Sequence, residues 1–240
     1  MSGEEDPGPL GNEIDNRTRP RLEGLRQLQQ LLQSVHGIEA APVERFLVSA
    51  EEKRRLAPAQ GDDEALLVRG SLALGELDIG LFLSDEVLAQ VGRSHQDPWS
   101  GPRLRGFCAA TEGVSHFLYL CHRAGSQRPV SLLELEAQAE LDKYICVLLQ
   151  LWATGRRAAS GELRRRIFGG FGLRPGLTAQ EGERYRLASA LAAAAAKVLE
   201  ARYVVQGRLE GLLREVRRLY RLGGGEKLSA FAAGQGAWAG

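Results

Sequence analysis

Residues 104–154 read LRGFCAATEGVSHFLYLCHRAGSQRPVSLLELEAQAELDKYICVLLQLWAT, and their periodicity decides the architecture. In the first half Phe107, Ala110, Val114, Phe117, Leu118 and Cys121 fall on one side of a helix at about 100° per residue. In the second half Leu133, Ala137, Leu141, Tyr144, Leu148 and Trp152 do the same. Ser131 with Glu134 three residues later is a capping box, and Val130 with Leu135 is placed as its hydrophobic staple. The spacing predicts helices over 104–123 and 132–154. The short connection 124–130 predicts that they pack antiparallel.

The polar residues of this pair carry the first candidate site. Glu112 and His116 are four apart and share a helix face nearly opposite the apolar stripe, together with Cys108, Tyr119 and Arg123. Glu136 and Glu140, also four apart, border the stripe of the second helix. Two carboxylates at that spacing repel by roughly 0.2–0.5 kcal/mol unless a cation lies between them. Convergence of Glu112, His116, Glu136 and Glu140 would make a carboxylate/imidazole site suited to a divalent metal such as iron, manganese or zinc. The helical di-metal pattern uses two Glu-x-x-His pairs and two further glutamates, whereas this chain has one Glu-x-x-x-His. The simpler expectation is a solvated Glu112–His116 pair, with Lys143 neutralising Glu140 one turn on and Glu134 assigned to its cap.

Working outward toward the C-terminus, helices are predicted over 161–168, 179–205 and 208–222, the second opened by a Thr178/Glu181 capping box. The smooth run Ala192–Ala196 permits close helix packing. In the last helix Leu209, Leu212, Leu213, Val216, Leu219 and Tyr220 form a stripe to be buried. Arg214, Arg217, Arg218 and Arg221 form a second stripe, a candidate anion- or partner-binding face to which Arg164, Arg165 and Arg166 can add. No aromatic residues interleave with these arginines, as a platform for stacked bases requires. Residues 223–240 hold six glycines and read as a flexible tail with Phe231 and Trp238 as anchors.

Toward the N-terminus, Leu22, Leu25, Leu28, Leu31 and Leu32 predict an amphipathic helix stopped by Gly37. Residues 44–49 read as a strand that passes at Ser49, capped with Glu52, into a short helix over 50–56. Two further strands are predicted at 65–69 and 77–83. In the second, Leu77, Ile79, Leu81 and Leu83 form one face to be buried, and Asp78, Gly80 and Phe82 the other. A helix over 85–91 follows. Arg69-Gly70-Ser71 with Glu76 and Asp78 resembles, over about nine residues, the glycine-serine and paired-acid pattern of nucleotidyltransferases. The four intervening residues leave no room for the helical turn that pattern needs, and a hairpin with a polar face accounts for the same residues.

The fold class expected is α+β. A small antiparallel sheet with flanking helices spans 19–98, and a helical bundle spans 99–222. A Pro/Gly/Ser-rich stretch at 92–102 joins them, a disordered leader covers 1–18 and the flexible tail covers 223–240. Charge is divided: residues 151–240 carry 16 basic against 7 acidic side chains, and the first 150 residues are correspondingly acidic. Such polarity suits either internal neutralisation or an anionic partner. Three cysteines without CxxC spacing point to a reducing compartment, and no apolar run of about 18 residues suggests a membrane span.

Walker, nucleophile-elbow and His-Glu-x-x-His motifs are missing. The resulting expectation is a non-catalytic cytoplasmic interaction protein. It would hold a protein partner or a second copy through its acidic N-terminal part, the Glu112–Glu140 face or the arginine stripe. The alternative is a metal-binding protein or metal-dependent enzyme on the four Glu/His residues. The third is nucleic-acid binding through the arginines.

Overall fold

The structure, a computed structural model, describes residues 18–58, 60–71, 76–92, 101–126, 128–169 and 176–233. They form a helix-rich α+β fold with one two-stranded antiparallel sheet. In chain order the main elements are α1 (Thr18–His36), α2 (Ala50–Leu56), β1 (Glu64–Ser71), β2 (Glu76–Leu83) and α3 (Asp85–Val91). There follow α4 (Gly101–Gly125), α5 (Leu132–Ala153), α6 (Ser160–Gly169), α7 (Ala179–Leu199), α8 (Leu209–Arg221) and α9 (Gly224–Ala232).

Local signals in the chain set most of these boundaries. The Ser49/Glu52 and Thr178/Glu181 capping boxes both form, each satisfying otherwise orphaned N–H groups at a helix start. Ser84 accepts from the Val87 N–H to start α3. Gly37 ends α1 with φ +64°, a conformation open to glycine at little cost. Beyond α7 the chain widens into a π turn over Glu200–Val204 instead of continuing as α-helix to 205. That turn places Glu200 to accept from Ser160 Oγ at 2.6 Å and Arg164 Nε at 2.8 Å.

The strand expected at 44–49 is corrected. Val43–Phe46 is a 3₁₀ turn, and only Leu47 pairs with the sheet, in an isolated parallel bridge to Leu81. Gln29 on α1 holds the Val43 N–H at 2.8 Å and so fixes the turn where a strand would have run. The hairpin itself is regular, with Leu66 opposite Leu81 and Arg69 opposite Asp78. Arg69 and Asp78 form an exposed pair at 2.9 Å, so Asp78 belongs to a solvated hairpin face. Leu81 and Leu83 are buried, as alternation predicts, but so is Phe82, which lies beneath Lys53 of α2.

One core runs through both of the expected regions, from Leu25 on α1 through Leu81 and Phe117 to Phe231 on α9. The hairpin, α1 and α3 cover one side of α4, and α5 covers another. Gly113 permits this: a Cβ there would lie 2.9 Å from Leu81 and 3.2 Å from Leu83. Ala188, Ala192, Ala195 and Ala196 bring α7 close onto α5. The tail expected to be flexible is a helix over Gly224–Ala232, with Lys227 and Phe231 fully buried. Residues 1–17, 93–100 and Trp238, on which the leader, the linker and one tail anchor were placed, lie outside the described residues.

Candidate metal site between two helices

Contacts descend along α4 as they climb α5, from Lys143–Glu112 through Asp142–Ser115 to Glu134–Tyr119, so the two helices are antiparallel. Both are buried on nearly every side over Gly106–Leu120 and Glu134–Leu148. The surface placement expected for Glu112 and His116 is therefore corrected. Their face points away from the apolar stripe, but α5 and the hairpin pack there, and they are only 8% and 5% exposed. Two polar seams result inside the protein.

The first seam is acidic. Cys108, Glu112 and His116 follow one another at single-turn intervals on α4, facing Glu136, Glu140 and Lys143 on α5. One donor atom each from Glu112, His116 and Glu136 lies within 4.8 Å of the others. His116 Nε2 is 3.5 Å from Glu136 Oε2, close enough for charge attraction but without a hydrogen bond, and that buried nitrogen has no hydrogen-bond partner. Glu140 stands beside this trio and is engaged by Lys143 Nζ at 2.7 Å, and the same ammonium reaches Glu112 Oε2 at 3.1 Å. Glu64, at the first position of β1, is a further carboxylate that the sequence did not single out. It is 4% exposed and packs against the α4 backbone at Gly113.

Four carboxyl groups thus meet one lysine and one histidine in a place poor in water, and the protonation preferences follow. Burial alone would strip the charge from His116, but Glu136, Glu64 and Glu112 outweigh it and push the imidazole up to about 9. Burial raises the Glu140 carboxyl, with Glu112 and Glu136 adding and Lys143 opposing. Burial works against the Lys143 ammonium, yet Glu112 and Glu140 hold its proton more firmly than in water. Cys108 is pushed up to about 12 by burial and is a thiol, not a thiolate.

A cavity of about 440 Å³ adjoins the seam. Cys108, Glu112, Glu140 and Lys143 are its inner wall, and Arg105 and Arg186 stand at its exposed side. Its volume is that of a small-molecule site.

The second seam is knit by hydrogen bonds. Asp142 accepts from His36 Nε2 at 3.0 Å, Ser115 Oγ at 2.6 Å and Gln138 Nε2 at 2.9 Å. Gln138 Oε1 in turn accepts from Lys227 Nζ at 2.6 Å. Ser131 caps α5 through the Glu134 N–H, but the Glu134 carboxylate does not complete the capping box. It accepts instead from the Tyr119 hydroxyl and from Arg123 at 2.7 Å, fully buried. Lys227 lies 4.0 Å from the Tyr119 ring, and His36 stacks on Tyr220.

The arginine stripe is largely occupied by its own fold. Arg217 donates to the Val35 and Ser34 carbonyls at the C-terminal end of α1, Arg218 grips Glu215 with two bonds, and Arg221 donates to the Arg217 carbonyl. Arg214 lies 3.8 Å from Glu210 on the exposed surface. Of the neighbouring basic run, Arg164 is held by Glu200 and Arg166 lies 3.6 Å from Glu162. Among the described residues, no helix is long and apolar enough to cross a membrane, and Cys108, Cys121 and Cys146 are free thiols. No protein-family model, curated protein or solved structure matches the chain.

Proposed function

We propose that the chain is a metal-binding protein in which Glu112, His116 and Glu136 hold a divalent transition cation, with the adjoining cavity giving a small molecule access as in a metal-dependent enzyme. The observation that carries this reading is the gathering of three donors from two helices around a buried imidazole nitrogen that lacks a hydrogen-bond partner. A buried polar atom without a partner costs roughly 1–3 kcal/mol, and coordination would remove that cost. Two carboxylate oxygens and one imidazole form a donor set suited to manganese, iron or zinc at bonds of about 2.0–2.2 Å. The ion would draw the three groups closer than they stand now. Lys143, holding Glu112 from the far side, would orient that ligand as outer-shell partners do.

The interaction-module reading has less to stand on, because the Glu112–Glu140 face it would use is buried and Arg217 is bound to α1. Nucleic-acid binding would rest on a stripe in which Arg217, Arg218 and Arg221 all donate to acceptors within the fold.

Elemental analysis of tag-free protein, incubated with Mn(II), Fe(II) or Zn(II) and then dialysed, tests the proposal. One ion per chain is expected with at least one metal, and it is lost in both His116→Ala and Glu136→Gln. Sub-stoichiometric metal with all three, or full retention in both variants, rejects it.

A further inference from the structure

The cavity beside the acidic seam has a polarity of its own. Glu112, Glu140 and Lys143 on its inner side are bound to one another, which leaves the wall at the outer side to set what enters. There Arg105 of α4 and Arg186 of α7 line the space from two different helices, and both are exposed. Neither has a carboxylate partner among the described residues, unlike Arg26, Arg123, Arg164 and Arg218, each held by a glutamate at 2.6–2.8 Å. Among the described residues of the lining, Asp63 is the exposed charge of opposite sign. Tyr185 and Ser189 of α7 add hydroxyl groups to the lining. Arginine forks match oxyanions bidentately, and held on two rigid helices they are spaced by the fold before any ligand arrives.

We infer that this cavity binds a small organic oxyanion, a carboxylate or phosphate ester, clamped by Arg105 and Arg186 with its inner end directed toward Glu112. The inference rests on the metal reading for what the inner end meets: an ion on Glu112, His116 and Glu136 would offset the glutamates and add a positive charge at the closed end. The clamp itself requires only the arginines.

The test is calorimetric titration of the full chain, with and without Mn(II), using inorganic phosphate in one arm and succinate in the other. Saturable binding of at least one probe is expected, weakened about tenfold or more by Arg105→Ala and by Arg186→Ala, the scale of a lost charged hydrogen bond. The manganese content of both variants should equal that of the parent chain. Because both side chains are exposed, the variants should keep the parent circular dichroism, and a third variant, Arg165→Ala, on an exposed arginine outside the cavity, should bind as the parent does. Binding of neither probe, or equal binding by the parent and both cavity variants, overturns the inference. Loss of manganese without loss of arginine-dependent anion binding would reject the metal reading and keep the clamp, so the two fail separately.

Discussion

The two polar seams between α4 and α5 share their helices, their depth and much of their residue chemistry, yet they are built to opposite ends. In the seam around Asp142, bases outnumber acids: Asp142 takes three donors, one of them His36, Glu134 takes Tyr119 and Arg123, and Lys227 stands beside them on Gln138. In the seam around Glu112, four carboxyls meet two bases; single buried atoms lack a hydrogen bond in both seams, His36 Nδ1 and Glu134 Oε2 in the one and His116 Nε2 in the other. Burial is common to both, so burial alone does not mark a site. The balance of acids against bases does, because a buried excess of negative charge is costly until a cation offsets it.

The largest effect should come from breaking the seam around Asp142. Asp142→Ala strands His36, Ser115 and Gln138 in the interior and should cost about 3–5 kcal/mol in urea-denaturation free energy, the scale of a broken buried pair. A loss under about 1 kcal/mol would erase the distinction drawn between the seams. Next comes a pH effect confined to the same seam. Burial pulls Lys227 down from 10.5 to about 7, against Asp142 and Glu134, which hold its proton, while Arg123 adds to the lowering. Between those two values the unfolded chain binds the proton that the folded chain has released, so the Lys227 contribution to folding stability should rise from about pH 7 to about 10, against the His116 imidazole, whose contribution falls as the pH rises through about 9. Below pH 7 both states carry the proton and this contribution levels off. Lys227→Met should make the slope of stability against pH less positive than the parent's over this range, and a parent-like slope in that variant would show that Lys227 supplies none of it.

The smallest effect on stability should be in the acidic seam. Glu112→Gln keeps an oxygen for Lys143 and removes one of the crowded negative charges, so the metal-free protein should change by less than about 1 kcal/mol. Its metal content should nevertheless collapse. A severe loss of stability with metal retained would make this seam a structural staple like the other.

Much of the scaffold was legible in the chain, and the exceptions have physical causes. The capping boxes at Ser49 and Thr178 are contacts across three residues, so the local sequence contains all of their parts. The same holds for the Leu212–Leu219 stripe of α8 and the Leu81/Leu83 face of β2. Glu112, His116 and Glu136 were legible as a set of metal-binding residue types, but the helical wheels set Glu112 and His116 opposite the apolar stripe and Glu136 at the border of its own. A wheel assigns one face to the core, and α4 is covered on more than one face. Glu64 carried no such signal, because β1 and α4 are brought together only by the close approach at Gly113. The glycines around residue 224 suggested a mobile tail, while the fold provides a burial place for Lys227 and Phe231 that no local pattern encodes.

The chain by itself determined where helices and strands begin and which of their faces are apolar, since those properties depend on neighbours within a turn or a pleat. The tertiary structure alone decided which polar faces meet inside the protein: the pairing of α4 with α5 and the hairpin turns an ordinary-looking helix surface into a water-poor acidic pocket. Charge in such a pocket answers to everything within a few ångströms of it, whatever its distance along the sequence.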